Sequence, residues 1–196
     1  MAEKDVLYPE TKPYVTHKLN VGEHTLHIEA SGTRKGHPFI FLHGGPGAGC
    51  QNYQRRFFNP KKFNLIMFDQ RGAGMSTPLA GLSNNYTQAL INDIEQVRLK
   101  CEIEKWSVFG GSWGAALGLL YAQQHPDRVH GLVLRGAFLA RQRDLDWFYV
   151  DGGINRLIPK QWRDFVEMVP LSQRERPLGY YQASLNSDDE DTRKTA

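Results

Sequence analysis

Four short, unbroken apolar runs constrain this chain more than any other feature. They are Pro38–Leu42, Phe63–Phe68, Trp106–Phe109 and Val129–Arg135. A strand with one wet face alternates polar and apolar residues; a strand that does not alternate is buried on both faces, as in a parallel sheet. The first three runs end in turn-forming segments: His43-Gly-Gly-Pro-Gly-Ala-Gly49, Asp69-Gln70-Arg71-Gly72 and Gly110-Gly-Ser-Trp-Gly114. Helical patterns lie between them. One starts after Asn85 and runs to about residue 103, with Leu90, Ile91, Ile94, Val97 and Cys101 on one face and Leu99 off it. A second, Trp113–Gln124, is small and apolar and stops at His125-Pro126. Ahead of all these, residues 14–20 and 23–30 alternate around Asn20-Val21-Gly22 and predict an antiparallel hairpin. The expected order is a hairpin and then β-α-β-α-β-α-β, an α/β fold with helices on both faces of a mostly parallel sheet.

The texture changes after residue 140. Residues 141–196 carry helical stripes: Leu145, Trp147, Phe148 and Tyr149; then Trp162, Phe165 and Val166; then Tyr180, Tyr181 and Leu185. No strand-like run follows. The reading is a core over residues 1–140 and an all-helical region over 141–196 whose aromatic residues serve its own packing. Ser187-Asp-Asp-Glu190 has the pattern of a helix-initiating capping box. Only six residues follow, so this end either begins a helix or forms an acidic disordered tail.

Charge excludes some partners. The 24 basic and 21 acidic residues give a net charge of +3 and are scattered, which argues against nucleic acid or an anionic membrane surface. No stretch approaches 18 apolar residues, and Met1–Val6 has no apolar leader core, so neither a membrane span nor a secretory signal is expected. Cys50 and Cys101 make no metal-ligand spacing, and two free thiols in a reducing cytoplasm is the preferred reading over a disulfide.

The chemistry centres on Ser112. It sits in a G-x-S-x-G pattern with a buried strand before it and a small-residue helix after it, the arrangement of a nucleophile elbow. Such a turn holds the serine hydroxyl over a helix N-terminus, where developing negative charge is favoured. The glycine-rich segment after His43 leaves an earlier strand at the same sheet edge. Its free backbone N–H groups suit an oxyanion, with one donor expected from Gly45 and the other from Trp113, the residue after the serine. A phosphate-binding reading fails, because position 50 is cysteine where a third glycine would fall, and no Walker lysine follows.

Taken together, His43-Gly-Gly-Pro-Gly47, Asp69-Gln-Arg-Gly-Ala-Gly-Met-Ser76 and Gly110-Gly-Ser-Trp-Gly114 resemble the proline iminopeptidase family of α/β-hydrolases. Leu134–Leu139 and Asp146–Tyr149 extend the match. The resemblance implies an α/β-hydrolase core with a helical cap beginning at residue 141. It implies a cytoplasmic enzyme that needs no metal or cofactor and releases N-terminal proline from peptides. It makes Ser112 the nucleophile and places Phe138 and Tyr149 against the substrate's proline ring. An esterase, an amidase or a non-catalytic shortened isoform are the alternatives. Epoxide hydrolases and haloalkane dehalogenases use an aspartate where this chain has Ser112.

The expected acid and base are missing from this reading. A serine needs a base to take its proton. After Ser112 only His125 and His130 remain, with Asp127 between them. A helix of about 12 residues carries the chain ~18 Å from the elbow, so all three are expected at the opposite end of the sheet. His43 is the only histidine placed on the active edge, where it is expected to shape the oxyanion loop while Asp69 anchors its own turn. The acid and base are therefore expected beyond Ala196, and the strand at 129–135 is expected to be an exposed apolar edge and an aggregation liability.

Overall fold

The computed structural model describes residues 7–196; Met1–Val6, the segment read above as lacking a leader core, lies outside them. Six strands form one sheet: β1 (Val15–Val21), β2 (His24–Gly32), β3 (His37–Leu42), β4 (Phe63–Phe68), β5 (Trp106–Gly111) and β6 (Val129–Arg135). Their spatial order is β1-β2-β4-β3-β5-β6. The hairpin β1–β2 is antiparallel and joins β4 antiparallel, while β4, β3, β5 and β6 run parallel. The parallel strands are the four apolar runs of the sequence.

Alternation along these strands builds two cores. Ile40 and Leu42 of β3, Ile66 and Phe68 of β4, and Trp106 and Val108 of β5 point to one face. Helices α1 (Thr87–Lys100) and α2 (Trp113–Gln124) cover that face with Leu90, Ile91, Ile94, Val97, Leu117 and Tyr121. Leu99, off the stripe, is exposed. Phe41, Leu65 and Met67 point to the other face, where Phe57 and Phe58 meet them. Both α-helices thus lie on one face, and the expectation of a helix between β3 and β4 does not hold. That crossover holds only a 3₁₀ turn, Asn52–Phe57, whose aromatic rings pack on the sheet in place of a helix.

Polar groups inside the helical face are satisfied in a chain. The Trp106 indole donates to the Tyr121 hydroxyl, which donates to Glu95, and Glu95 accepts two bonds from Arg98. Burial and the Glu95 carboxylate push the Tyr121 hydroxyl pKa well up, while the Arg98 and Tyr121 hydrogen bonds outweigh burial and hold Glu95 down. Arg98 also donates to the Ile103 carbonyl and so ties down the chain after α1.

A second ion pair fixes the segment after β4. Arg71 donates twice to Asp93 of α1, each bond 2.7 Å, and also to the Asn84 carbonyl. Asn85, which precedes the helical pattern, donates to the Arg71 and Gly81 carbonyls, and Tyr86 is the residue that leads into α1. β6 ends the sheet: it pairs with β5 alone, and Leu132 and Val133 are exposed.

The chain divides into two compact units, Met1–Leu139 and Ala140–Ala196. The second holds α3 (Gln142–Tyr149), α4 (Pro159–Glu167), α5 (Pro177–Leu185) and α6 (Glu190–Thr195). Its core is aromatic, with Phe165 stacked on Tyr181 at 4.7 Å and flanked by Tyr149 and Trp162. The chain end is helical, and its cap is Asp189, which accepts the Thr192 N–H; Ser187, the expected cap, instead accepts from the Asp189 N–H. Both cysteines are free thiols.

Asp93 is fully buried and Arg71 nearly so. Removing one partner of such a pair leaves an uncompensated charge, which costs about 3–5 kcal/mol. Asp93→Ala should therefore lower stability by about that amount in urea unfolding, with Arg71→Met/Asp93→Leu recovering much of it.

Candidate active site

The site is built where strand ends meet. β5 ends at Gly111, Ser112 makes the turn, and α2 starts at Trp113. Ser112 is exposed and adopts φ 55° and ψ −121°, a conformation a non-glycine residue holds only where its surroundings impose it. Its N–H donates to the Arg135 carbonyl at the end of β6, and its carbonyl accepts the Ala115 N–H. Two glycines permit the turn. A Cβ on Gly110 would lie 2.2 Å from the Gly114 carbonyl oxygen, and one on Gly114 would lie 2.1 Å from the Leu42 carbonyl oxygen. Helix α2 is thus seated directly on the backbone at the ends of β3 and β5.

The loop after β3 runs past the serine. A Cβ on Gly44 would sit 3.2 Å from the Ser112 Cβ, so the Gly44 backbone lies beside the nucleophile candidate. Gly45 follows, in the left-handed region at φ 117°. Neither the Gly45 N–H nor the Trp113 N–H has a hydrogen-bond acceptor among the described residues; Trp113 is in the first turn of α2, where no intrahelical acceptor exists.

His43 anchors this loop. Its Nε2 accepts the Gln70 backbone N–H at 2.9 Å, which fixes Nδ1 as the protonated nitrogen, and Nδ1 donates to the Gly44 carbonyl. Both ring nitrogens are engaged by these partners, and neither bonds Ser112. Burial lowers the His43 pKa, outweighing the Gly44 hydrogen bond and the nearby Asp69. Gln70 completes the arrangement: its side-chain N–H donates to the His43 carbonyl at 2.9 Å, and its side-chain oxygen accepts the Trp113 indole N–H at 3.1 Å.

Asp69 anchors its own turn and the end of the glycine-rich loop. Its two carboxylate oxygens accept the Cys50 and Met75 N–H groups, and the Ser76 hydroxyl donates to its carbonyl. Burial and the Asp69 and Glu29 carboxylates raise the Cys50 thiol pKa well above the ordinary cysteine value.

The remaining histidines lie elsewhere. His125 ends α2 and packs on the Tyr121 ring; Asp127 lies in the 3₁₀ turn that follows; His130 lies against His37 at the start of the parallel strands. The β5–β6 register, Trp106 beside Val129, confirms that this is the end opposite Ser112. His43 is not alone on the active edge, however. Because β2 runs antiparallel to β4, His24 and His27 also start there. They are three strands from β5, about 14 Å across the sheet. His24 bonds the Ser83 carbonyl and His27 bonds Glu29. No histidine nitrogen bonds the Ser112 hydroxyl among the described residues.

Of the other sequence-derived site residues, Phe138 is half-buried in the segment after β6. Tyr149 belongs to the second unit, where its ring packs 6.2 Å from Phe165. Gln70 was missed as a site residue. Its partners are 27 and 43 positions away, and no local pattern announces them.

An exposed serine on a strained strand-to-helix turn, with a glycine-rich loop beside it, defines an α/β-hydrolase elbow. The chain belongs to this family: the model of the alpha/beta hydrolase fold matches residues 37–192. It is 50% identical over 188 residues to the proline iminopeptidase of Arabidopsis thaliana, covering 95% of this chain and 49% of that protein. It is 46% identical over 191 residues to the proline iminopeptidase of Xylella fastidiosa, covering 97% of this chain and 61% of that protein. The chain therefore spans half to three-fifths of these relatives. A solved structure, the proline iminopeptidase of Mycobacterium smegmatis, superposes with a TM-score of 0.54 at 22% identity over 92% of this chain and 58% of that one, a likeness of fold.

The lowered His43 pKa has a sign that can be measured. The unfolded chain takes up a proton near 6.5, and the folded ring resists it. Stability should fall as pH drops below about 6.5, by at most about 1.4 kcal/mol per pH unit from this group. Urea unfolding at pH 7.5 and 5.5 should show the loss, and His43→Gln should reduce the difference between the two pH values.

Proposed function

We propose that this chain carries the nucleophile and oxyanion half of a serine hydrolase that releases N-terminal proline from peptides. The observation that carries the reading is the backbone of Ser112, held at φ 55° against the Gly44 segment. In this reading the Ser112 Oγ attacks the carbonyl carbon of the N-terminal prolyl residue, and its proton passes to a base. The oxyanion that forms accepts the Gly45 and Trp113 N–H groups. The base returns the proton to the leaving nitrogen as the C–N bond breaks, the shortened peptide leaves as its free amine, and water, giving its proton to the same base, then releases proline from the serine ester. Phe138 and Tyr149 enter as substrate residues through the family resemblance, and residues 141–196 as the first part of a helical cap.

The base and its acid lie outside these 196 residues. Supporting this are the two engaged nitrogens of His43, the distant His125 and His130, and relatives of which this chain spans only half to three-fifths. The 196-residue chain is accordingly inactive by itself. Peptide substrates and a cytoplasmic location enter through the family resemblance, and the scattered charge supports the reading that nucleic acid and membrane surfaces are not partners.

A longer protein that contains this chain and matches its relatives in length should hydrolyse Pro-β-naphthylamide. Ser112→Ala should lower kcat by about 10⁴-fold or more. Hydrolysis of simple acyl esters with no turnover of Pro-β-naphthylamide would overturn the substrate assignment.

A further inference from the structure

We propose that Gln70 is a positioning residue that sets the separation of the two oxyanion donors. The inference rests on the serine-hydrolase reading above and names a residue that acts through the donors without touching substrate. Gln70 follows β4, yet the two donors belong to other strand ends: Gly45 after β3 and Trp113 after β5. In the sheet order β4-β3-β5 the amide reaches across the end of β3. One arm, Nε2–H to the His43 carbonyl at 2.9 Å, holds the base of the Gly45 loop. The other, Oε1 accepting the Trp113 indole N–H at 3.1 Å, holds the residue whose backbone N–H is the second donor. The Gln70 backbone N–H, bonded to His43 Nε2, fixes the origin of both arms.

The chemistry admits only this amide. The His43 carbonyl can only accept and the indole can only donate, so the orientation of the Gln70 side chain is determined by its partners. A glutamate keeps the indole bond but sets an oxygen against the His43 carbonyl. A methionine of similar length makes neither bond. Gln70 is 98% buried, so solvent does not replace what is lost. Misplacing an oxyanion donor weakens an interaction made in the transition state, so kcat falls and KM does not.

The test uses the protein of full relative length and Pro-β-naphthylamide, with active sites counted by a serine-directed phosphonate. Gln70→Met should lower kcat per active site ~10–100-fold with KM within ~2-fold, a fraction of the ~10²–10³-fold lost with a whole donor. Trp113→Phe, which removes the indole donor and keeps the backbone N–H, should lower kcat several-fold. The double variant should be no worse than Gln70→Met alone, because both break the same bridge. Binding of a prolyl boronate should weaken in step with kcat. A merely structural role would lower the unfolding temperature and the number of active sites while leaving kcat per site and boronate affinity unchanged, and that result overturns the proposal. If Gln70→Met does not fold, an unchanged kcat in Trp113→Phe overturns it, and a reduced one supports it. Turnover retained by Ser112→Ala overturns the serine reading and this proposal with it. Turnover lost in Ser112→Ala but unchanged in Gln70→Met overturns this proposal alone.

Discussion

The site depends on a close approach of backbones. Helix α2 leaves β5 with Gly114 against the Leu42 carbonyl and with its Gly114 carbonyl against Gly110, so that a Cβ on either glycine would overlap a backbone oxygen at 2.1–2.2 Å. No side-chain rearrangement relieves such a clash, so the glycines at 110 and 114 are geometric requirements. Given that seat, the chain must turn within one residue, and Ser112 takes the unusual backbone angles. The same seat brings the end of β3 beside the serine, which is why the Gly44–Gly45 segment passes there.

Around this seat the polar groups serve as struts. Asp69 joins the loop at Cys50 to the turn at Met75, and Arg71 joins the same turn to Asp93 of α1. His43, buried and kept neutral, accepts from the Gln70 backbone and so holds a loop that has almost no side chains of its own. A glycine-rich loop is mobile unless tied down, because glycine has the most conformational freedom to lose. The ties from outside the loop come from Asp69 and Gln70, just after β4, and add to the bonds the loop makes within itself at the Gly44 carbonyl. Within the loop the Gly45 N–H keeps no acceptor among the described residues.

Much of this was legible in the sequence, and the reasons are local. The parallel strands were visible because strands buried on both faces read as unbroken apolar runs, and Phe63–Phe68 and Val129–Arg135 match the observed bounds. The elbow was visible because glycines at 110 and 114 bracket a serine between a strand and a helix. Features set by tertiary contacts were not. Asn85 marks the start of a helical pattern, but the bonds of its amide to the Arg71 and Gly81 carbonyls could not be read from that pattern. The β3–β4 crossover was expected to hold a helix, but a short turn rich in aromatic rings fills that face. Gln70 gave no signal because its role joins three distant segments. The antiparallel course of β2, which returns His24 and His27 to the active edge, follows from topology alone.

On the function proposed above, these residues form one half of a catalytic apparatus, with Ser112 as nucleophile, Gly45 and Trp113 as oxyanion donors, and the proton acceptor supplied from elsewhere. The most direct measurement is intact mass after exposure to a serine-directed fluorophosphonate, on the 196-residue chain and on a longer protein that contains it. The account predicts no adduct on the 196-residue chain and a single adduct at Ser112 in the longer protein. A stoichiometric adduct at Ser112 in the 196-residue chain would show that it activates the hydroxyl itself, and would contradict the account.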